Sequence, residues 1–219
     1  MSVARLSLQK NPFIGLFLRA SERLVLCSKH APQNFVETVS KALEVKAVRL
    51  FVDQSPLVGL LAVMNSNGVI LPDFAEAEEI RLLKKEGLNV SRLACFAPGN
   101  NILANDRAAL VSPLVPRKNV RTIADCLGVE VFQHTIAGIN TVGSSNVVTN
   151  KGVFACNDAS ETDLKFLRKV FKAQIGKGTA NLGSSCSGLC MAANSKGAAV
   201  GSLTTGFELQ RIYDAFEYE

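Results

Sequence analysis

The reactive side chains of this chain are six cysteines (Cys27, Cys95, Cys126, Cys156, Cys186 and Cys190) and two histidines, His30 and His134. A thiol becomes a nucleophile when a base sits beside it. The candidate pairings are Cys186 or Cys190 with His134. His30 is followed by Ala31-Pro32 and His134 by Thr135-Ile136, so neither opens a His-x-Glu sequence. Cys186 and Cys190 lie four residues apart with no second pair at metal-ligand spacing, so no metal site is expected. Gly176-Lys177-Gly178-Thr179 has part of a phosphate loop, but the glycine required five positions earlier is Phe171, which excludes that motif. The glycines there are expected to serve turns between units. Irregular cysteine spacing in a chain this long reads as reduced, mostly buried thiols. No catalytic residue, cofactor or metal is expected.

The side chains that could position any chemistry are plentiful. Of 219 residues, 47% are hydrophobic and 20% charged, enough for a sizeable core and too apolar for disorder. A net charge of +5 permits contact with RNA or acidic protein without requiring it. Arg5, Lys10, Arg19 and Glu22 interrupt the N-terminal apolar runs, unlike the core of a signal peptide. The longest apolar run, Leu57 to Met64, is far short of the ~20 residues of a membrane span. A soluble, cytoplasmic protein is expected.

The organising pattern is a repeat, the feature to be sought first in any chain. Gly188 to Gly201 reads as a β-hairpin: a small apolar arm, the turn Asn194-Ser195-Lys196-Gly197, and a second apolar arm. Asn and Gly suit a turn that needs positive φ. The same pattern has turns at Asn65-Ser66-Asn67-Gly68, Asn105-Asp106-Arg107-Ala108 and Thr149-Asn150-Lys151-Gly152, with a degraded copy around Ala20-Ser21-Glu22-Arg23. From arm glycine to turn end is nine residues in four units, starting at Gly59, Gly99, Gly143 and Gly188, and eight from Gly15 to Arg23.

A helix follows each hairpin. Phe35, Val36, Val39 and Leu43 share one face of the first; Ile80 and Leu83 mark the second, which stops at Gly87; Val120, Ile123, Ala124 and Leu127 mark the third, which stops at Gly128. Ser160 with Asp163 and Thr205 with Glu208 read as capping boxes for the last two, whose stripes are Leu164, Leu167, Val170, Phe171 and Leu209, Ile212, Phe216. Returning strands are expected over Val45–Val52, Leu88–Phe96, Val129–Ile136 and from Lys172. The fifth unit lacks such a strand, and Val3 to Gln9 is an orphan of the right length. The economical solution is a closed ring, which removes exposed sheet edges. The expected fold is a five-bladed α/β propeller with pseudo-fivefold symmetry. It forms a single domain over 1–219, with units near 10–53, 54–97, 98–138, 139–181 and 182–219, closed by strand 1–9.

In such a ring the turns crowd one face. Asn65, Asn67, Asn105, Asp106, Arg107, Asn150, Lys151, Asn194, Ser195 and Lys196 are the candidate interface residues, with Lys151 and Lys196 at one phase and Arg107 near it.

These segments resemble the translation initiation factor 6 family of archaea and eukaryotes over essentially the whole chain. The resemblance is carried by Asn105-Asp106 with Ala109-Leu110-Val111 and Pro113; Val142-Gly143-Ser144; Thr149-Asn150-Lys151-Gly152; Gly178-Thr179-Ala180-Asn181 with Gly183-Ser184; Ala193-Asn194-Ser195-Lys196-Gly197; and Thr204-Thr205-Gly206 with Glu208-Leu209. The chain stops soon after its fifth helix, like the archaeal form. The resemblance implies a pentein fold and a non-enzymatic monomer. It also implies binding to the large ribosomal subunit at the face that meets the small one, on ribosomal protein uL14 with the sarcin–ricin loop of the large-subunit RNA nearby. Occupying that face blocks subunit joining. Asn105 matches a turn position that lies toward the ribosome in that family. Pro98, Cys156 and the first unit depart from its pattern. The same fold has a branch of enzymes that modify guanidino groups with a Cys nucleophile; Cys186 or Cys190 with His134 is the alternative that this branch implies.

Overall fold

A computed structural model describes residues 3–218; Met1, Ser2 and Glu219, the ends of the expected closing strand and fifth unit, lie outside the described residues. The opening strand β1 (Val3–Leu6) stands apart from its own neighbours in sequence. Each of the next four units then supplies two hairpin strands, a helix and a third strand. The first unit has β2 (Leu18–Ala20), β3 (Leu24–Ser28), α1 (Gln33–Leu43) and β4 (Lys46–Leu50). The second has β5 (Val63–Met64), β6 (Gly68–Pro72), α2 (Ala77–Lys85) and β7 (Asn89–Leu93). The third has β8 (Ile102–Ala104), β9 (Ala108–Val111), α3 (Lys118–Leu127) and β10 (Glu130–Gln133). The fourth has β11 (Val147–Val148), β12 (Gly152–Cys156), α4 (Glu161–Phe171) and β13 (Gln174–Gly178). The fifth has β14 (Met191–Ala193), β15 (Ala198–Gly201) and α5 (Gly206–Phe216).

Five three-stranded sheets result, each with an antiparallel hairpin and a parallel third strand. In the fifth the third strand is β1, paired parallel to β15 with Val3 opposite Ala198 and Leu6 opposite Gly201. The ring is thus closed by the N-terminal strand, as expected. Central strands β3, β6, β12 and β15 are buried along their whole length. They are covered on both faces, which is why their sequences are continuous apolar runs rather than alternating ones.

The helices bind blade to blade. α1 packs on β15 and β1 of the fifth blade, α3 on β6 and β7 of the second, and α5 on β12 and β13 of the fourth. Each of the five apolar cores accordingly mixes two units: Leu26 and Val48 with Val69 and Leu83, for example, or Leu110 with Val153 and Phe171. No unit owns a core, so a single unit has too little apolar surface to fold alone.

The structure corrects four expectations. The arm glycines do not start strands. They sit in single helical turns at Ile14–Leu16, Val58–Leu61, Pro98–Asn101, Val142–Ser145 and Ser187–Cys190. A Cβ on Gly15 would lie 2.3 Å from Gly188 O, on Gly59 1.9 Å from Gly15 O, and on Gly99 2.1 Å from Gly59 O. A Cβ on Gly143 would lie 2.3 Å from Gly99 O, and on Gly188 2.2 Å from Gly143 O. The five glycines therefore form a closed ring of backbone-on-backbone contacts about the axis. Second, the first unit is not one residue short. Ser21 N donates to Leu24 O at 3.0 Å, as Asn65 N does to Gly68 O, so the turn ends at Leu24 and the glycine-to-turn spacing is nine in all five units.

Third, the hairpin turns have no positive φ; left-handed residues occur instead in the loops after the third strands, as Gln9-Lys10, Asp53-Gln54, Ala137-Gly138 and Asn181-Leu182, and where the helices end, as Glu44, Gly87, Gly128, Lys172 and Glu217. The turn glycines answer a different need: a Cβ on Gly152 would meet Ala215 O at 1.8 Å and one on Gly68 would meet Cys126 O at 2.2 Å, where the neighbouring helix ends. Fourth, Gly176 and Gly178 are inside β13 and not in a turn. They make room for Ala215 and Phe154 respectively, and Lys172, expected to start the strand, is instead the left-handed cap of α4. Of the capping boxes, Ser160 with Asp163 and Thr205 with Glu208 are both formed.

Candidate functional site

The five hairpin turns meet around the axis and form three tiers. The first residue of each turn is buried: Ser21, Asn65, Asn105, Thr149 and Asn194. Its side-chain oxygen accepts two backbone N–H groups of its own turn. Asn105 Oδ1 takes Arg107 N at 2.9 Å and Ala108 N at 3.0 Å; Asn65, Thr149, Asn194 and Ser21 do the same. This is the side-chain mimicry of a backbone turn that Asn, Ser and Thr offer, and it removes the need for positive φ. Where the residue is Asn, its amide also reaches the next unit. Asn65 Nδ2 donates to Asn105 O and Leu127 O, Asn105 Nδ2 to Thr149 O at 3.0 Å, and Asn194 Nδ2 to Ser21 O and Leu43 O. Asn65, Asn105 and Asn194 are therefore fasteners between units, with buried side chains.

The second tier closes the mouth of the axis. Asp106 accepts from Ser66 N and Oγ and from Asn150 Nδ2, at 2.7 to 2.8 Å. Glu22 reaches across the ring, accepting from Asn150 N in the fourth unit and from Ser195 N and Oγ in the fifth. Two carboxylates thus hold the turns of units two to five.

The third tier is exposed: Arg23, Asn67, Arg107, Lys151 and Lys196. Four of these five are cationic. Arg23 donates to Ser66 O and Glu86 O, Asn67 to Leu127 O, Arg107 to Lys172 O and Lys196 to Glu44 O. Except for Ser66, these acceptors are carbonyls at the C-terminal ends of neighbouring helices, where free carbonyls and the helix dipole favour a cation. The basic rim has a structural use, and its outward N–H groups remain available.

At the fifth blade Tyr218 takes part. Its hydroxyl is shared between Asn194 O at 2.6 Å and Gly197 O at 2.8 Å. Burial, then the charges of Glu22 and Tyr213, push its pKa well above the usual phenol value. The bond needs the proton, so this contribution is complete below the ordinary pKa of about 10 and is lost as pH climbs through the raised one. Tyr218→Phe is expected to cost about 1–2 kcal/mol at pH 7–9, with the gap to wild type closing above pH 10. Urea melts of both proteins across pH 7–11 measure it.

Sequence reasoning found the second- and third-tier residues of units two to five, except Ser66, and missed Glu22 and Arg23. The one-residue slip in the first unit hid them. The nine-residue spacing, applied from Gly15, would have recovered both.

The catalytic candidates do not converge. His134 is in the returning segment of the third unit, with its ring 4.5 Å from that of Phe166. Cys190 is buried in the single helical turn at the axis end of the fifth unit. Burial pushes its thiol up to about 11, the reverse of an activated nucleophile. Cys27 is pushed to about 12 for the same reason. Among the described residues no three of His, Cys, Asp and Glu come together as a metal site, and no helix is long and apolar enough to cross a membrane.

The fold is shared with a dimethylarginine dimethylaminohydrolase structure, at a TM-score of 0.51 over 98% of this chain and 95% of that one, with 12% identity. That likeness shows the pentein fold alone. Sequence relatives are of another kind. The translation initiation factor 6 of Pyrococcus horikoshii is 39% identical over 226 residues, covering all of both chains. That of Methanocaldococcus jannaschii is 43% identical over 213 residues, 93% of each, and that of Thermoplasma acidophilum 36% identical over 214 residues, 97% of this chain and 98% of the other. These relatives carry the name of a translation factor and not of an enzyme. The model of the eIF-6 family matches residues 3–215, and the chain belongs to that family.

Proposed function

We propose that the chain acts in translation initiation by binding the large ribosomal subunit at its intersubunit face, through the turn end of the ring, and so prevents premature joining of the small subunit. The observation that carries this is the third tier: Arg23, Asn67, Arg107, Lys151 and Lys196 exposed at one phase of five locked turns. A rigid, basic rim suits the polar, anionic surface of a ribosomal subunit and loses little entropy on docking. Family membership supports the reading, since the relatives are named for translation initiation. In this reading residues 1–219 act as one domain and as a monomer in the cytoplasm, on ribosomal protein uL14 with large-subunit RNA beside it. Binding by steric occupation requires no catalytic group.

Sedimentation through a sucrose gradient with cognate large subunits tests it. The protein is expected to travel with the large subunit and to suppress its pairing with the small one; protein left at the top of the gradient at moderate salt overturns the proposal. Charge reversal at Arg107, Lys151 and Lys196 together is expected to weaken binding on the order of tenfold or more; because Arg107 and Lys196 also bond the carbonyl ends of neighbouring helices, the variant is expected to melt below wild type and is assayed at a temperature where its melt shows it folded. Equal binding by that variant would move the contact away from the turn rim.

A further inference from the structure

Between the glycine ring and the polar mouth the axis holds a chamber of about 30 Å³, lined by Arg19 and by small or apolar side chains including Leu18, Val63, Leu103, Val147 and Met191. Arg19 is the one charged residue lining it among the described residues. Its Nη2 donates to Gly59 O and, at 3.0 Å, to Gly99 O, so the guanidinium lies on the glycine ring. Its Nε is sealed from solvent with no partner. Among the described residues no carboxylate comes within 4.0 Å of it. Burial lowers its pKa to about 10, so it is charged at neutral pH. Glu22 and Asp106 do not supply the missing acceptor, for they accept from the turns.

A buried cation normally has a counter-charge, and a buried N–H an acceptor. Two neutral carbonyls meet part of that need and leave Nε open. The chamber exceeds the 10–15 Å³ or so that one water requires, and sulfate or phosphate would need several donors where the lining side chains supply only Arg19. Apart from Arg19, the side chains that line it are aliphatic or thioether and offer no donor to a strongly hydrated ion. The occupant it fits is monatomic, negative and easily stripped of water. We propose that the axial chamber is a binding site for a single halide ion, held by Arg19. Toward the turn face lies a second, smaller space of about 10 Å³ under the Glu22–Asp106 mouth, so an ion leaving on that side passes the locked turns.

The halide present during purification sets the design of the test. The protein is purified and crystallised with bromide as the only halide, and anomalous diffraction is collected at the bromine edge. One peak inside the chamber, within hydrogen-bonding reach of Arg19 Nε, is expected. Water density without an anomalous peak, or bromide only on the outer surface, overturns the proposal. A second measurement compares protein prepared throughout in chloride with protein prepared in gluconate at equal ionic strength. The wild type is expected to melt about 3 °C lower in gluconate, and Arg19→Met to melt alike in both. A wild type indifferent to the anion would count against the site. Should the variant fail to fold, bromide diffraction from the wild type decides alone.

Discussion

Gly59→Ala is expected to leave little or no folded protein. Alanine adds one methyl group, and in most cores that is tolerated within 1–3 kcal/mol or so because neighbouring side chains give way. Here the neighbours are backbone. The new Cβ would sit 1.9 Å from Gly15 O and 2.3 Å from Leu18 O; the first carbonyl cannot withdraw without shifting a single helical turn that itself rests on the next glycine, nor the second without shifting β2. The strain passes from unit to unit around the ring. A loss of at least about 4 kcal/mol is expected, a large part of the stability of an ordinary domain. Gly206→Ala is the control. It opens α5 with nothing within 4 Å of an added Cβ, so it should fall within about 1 kcal/mol of wild type and on the stable side. Urea midpoints of the two variants give the contrast; similar midpoints would mean that the axial contacts are slack.

Asn105→Ala is the second large effect, and it separates fastening from contact. The substitution leaves Arg107 N, Ala108 N and Thr149 O without their partners in a residue that is 5% exposed. Buried groups left unpaired cost about 1–3 kcal/mol each, and the turn can relax around some of them, so a net loss of about 3 kcal/mol is expected. Arg107, two residues on, loses the frame that aims it. Large-subunit binding should therefore fall in Asn105→Ala although the Asn105 side chain is spent on its own turn and the next one. Arg107→Ala should lower binding with a stability change under about 1 kcal/mol. Denaturation and sedimentation of both variants make the comparison. A destabilised Asn105→Ala that bound at full strength would detach the turn frame from ribosome binding.

The blade pattern was legible because the third strands, long helices and apolar central strands each carry a strong local signature. The parallel closure of Val3–Leu6 on Ala198–Gly201 was legible by elimination, as an orphan strand facing an incomplete unit. The single helical turns were not. Four residues such as Val58–Leu61 are too few to show a helical period, and their apolar character reads equally well as a strand arm. The arm glycines announced a register but not its cause, since packing across an axis involves residues some forty positions apart. Asn65, Asn105 and Asn194 look like solvent-facing turn residues in sequence, and only the neighbouring unit's carbonyls explain their burial. Arg19 gave no signal at all: a lone cation in a short strand becomes unusual only once four other strands surround it.

Ring closure has a consequence for the order of synthesis. Val3–Leu6 leaves the ribosome first, and its partner Ala198–Gly201 is among the last strands made. For nearly the whole of elongation the opening strand has an unsatisfied edge, and α1, which packs on β15 as well as on β1, waits for its fifth-blade partner. Because each core is shared between neighbouring blades, the growing chain adds stability step by step, but the seam is filled only at the end. A nascent chain stalled before Gly201 is thus an open arc with an unpaired strand at its start and an unmatched blade at its finish. Such arcs can satisfy one another end to end, so the time between the first and fifth blades is the interval in which this protein is most exposed to linking with its own copies.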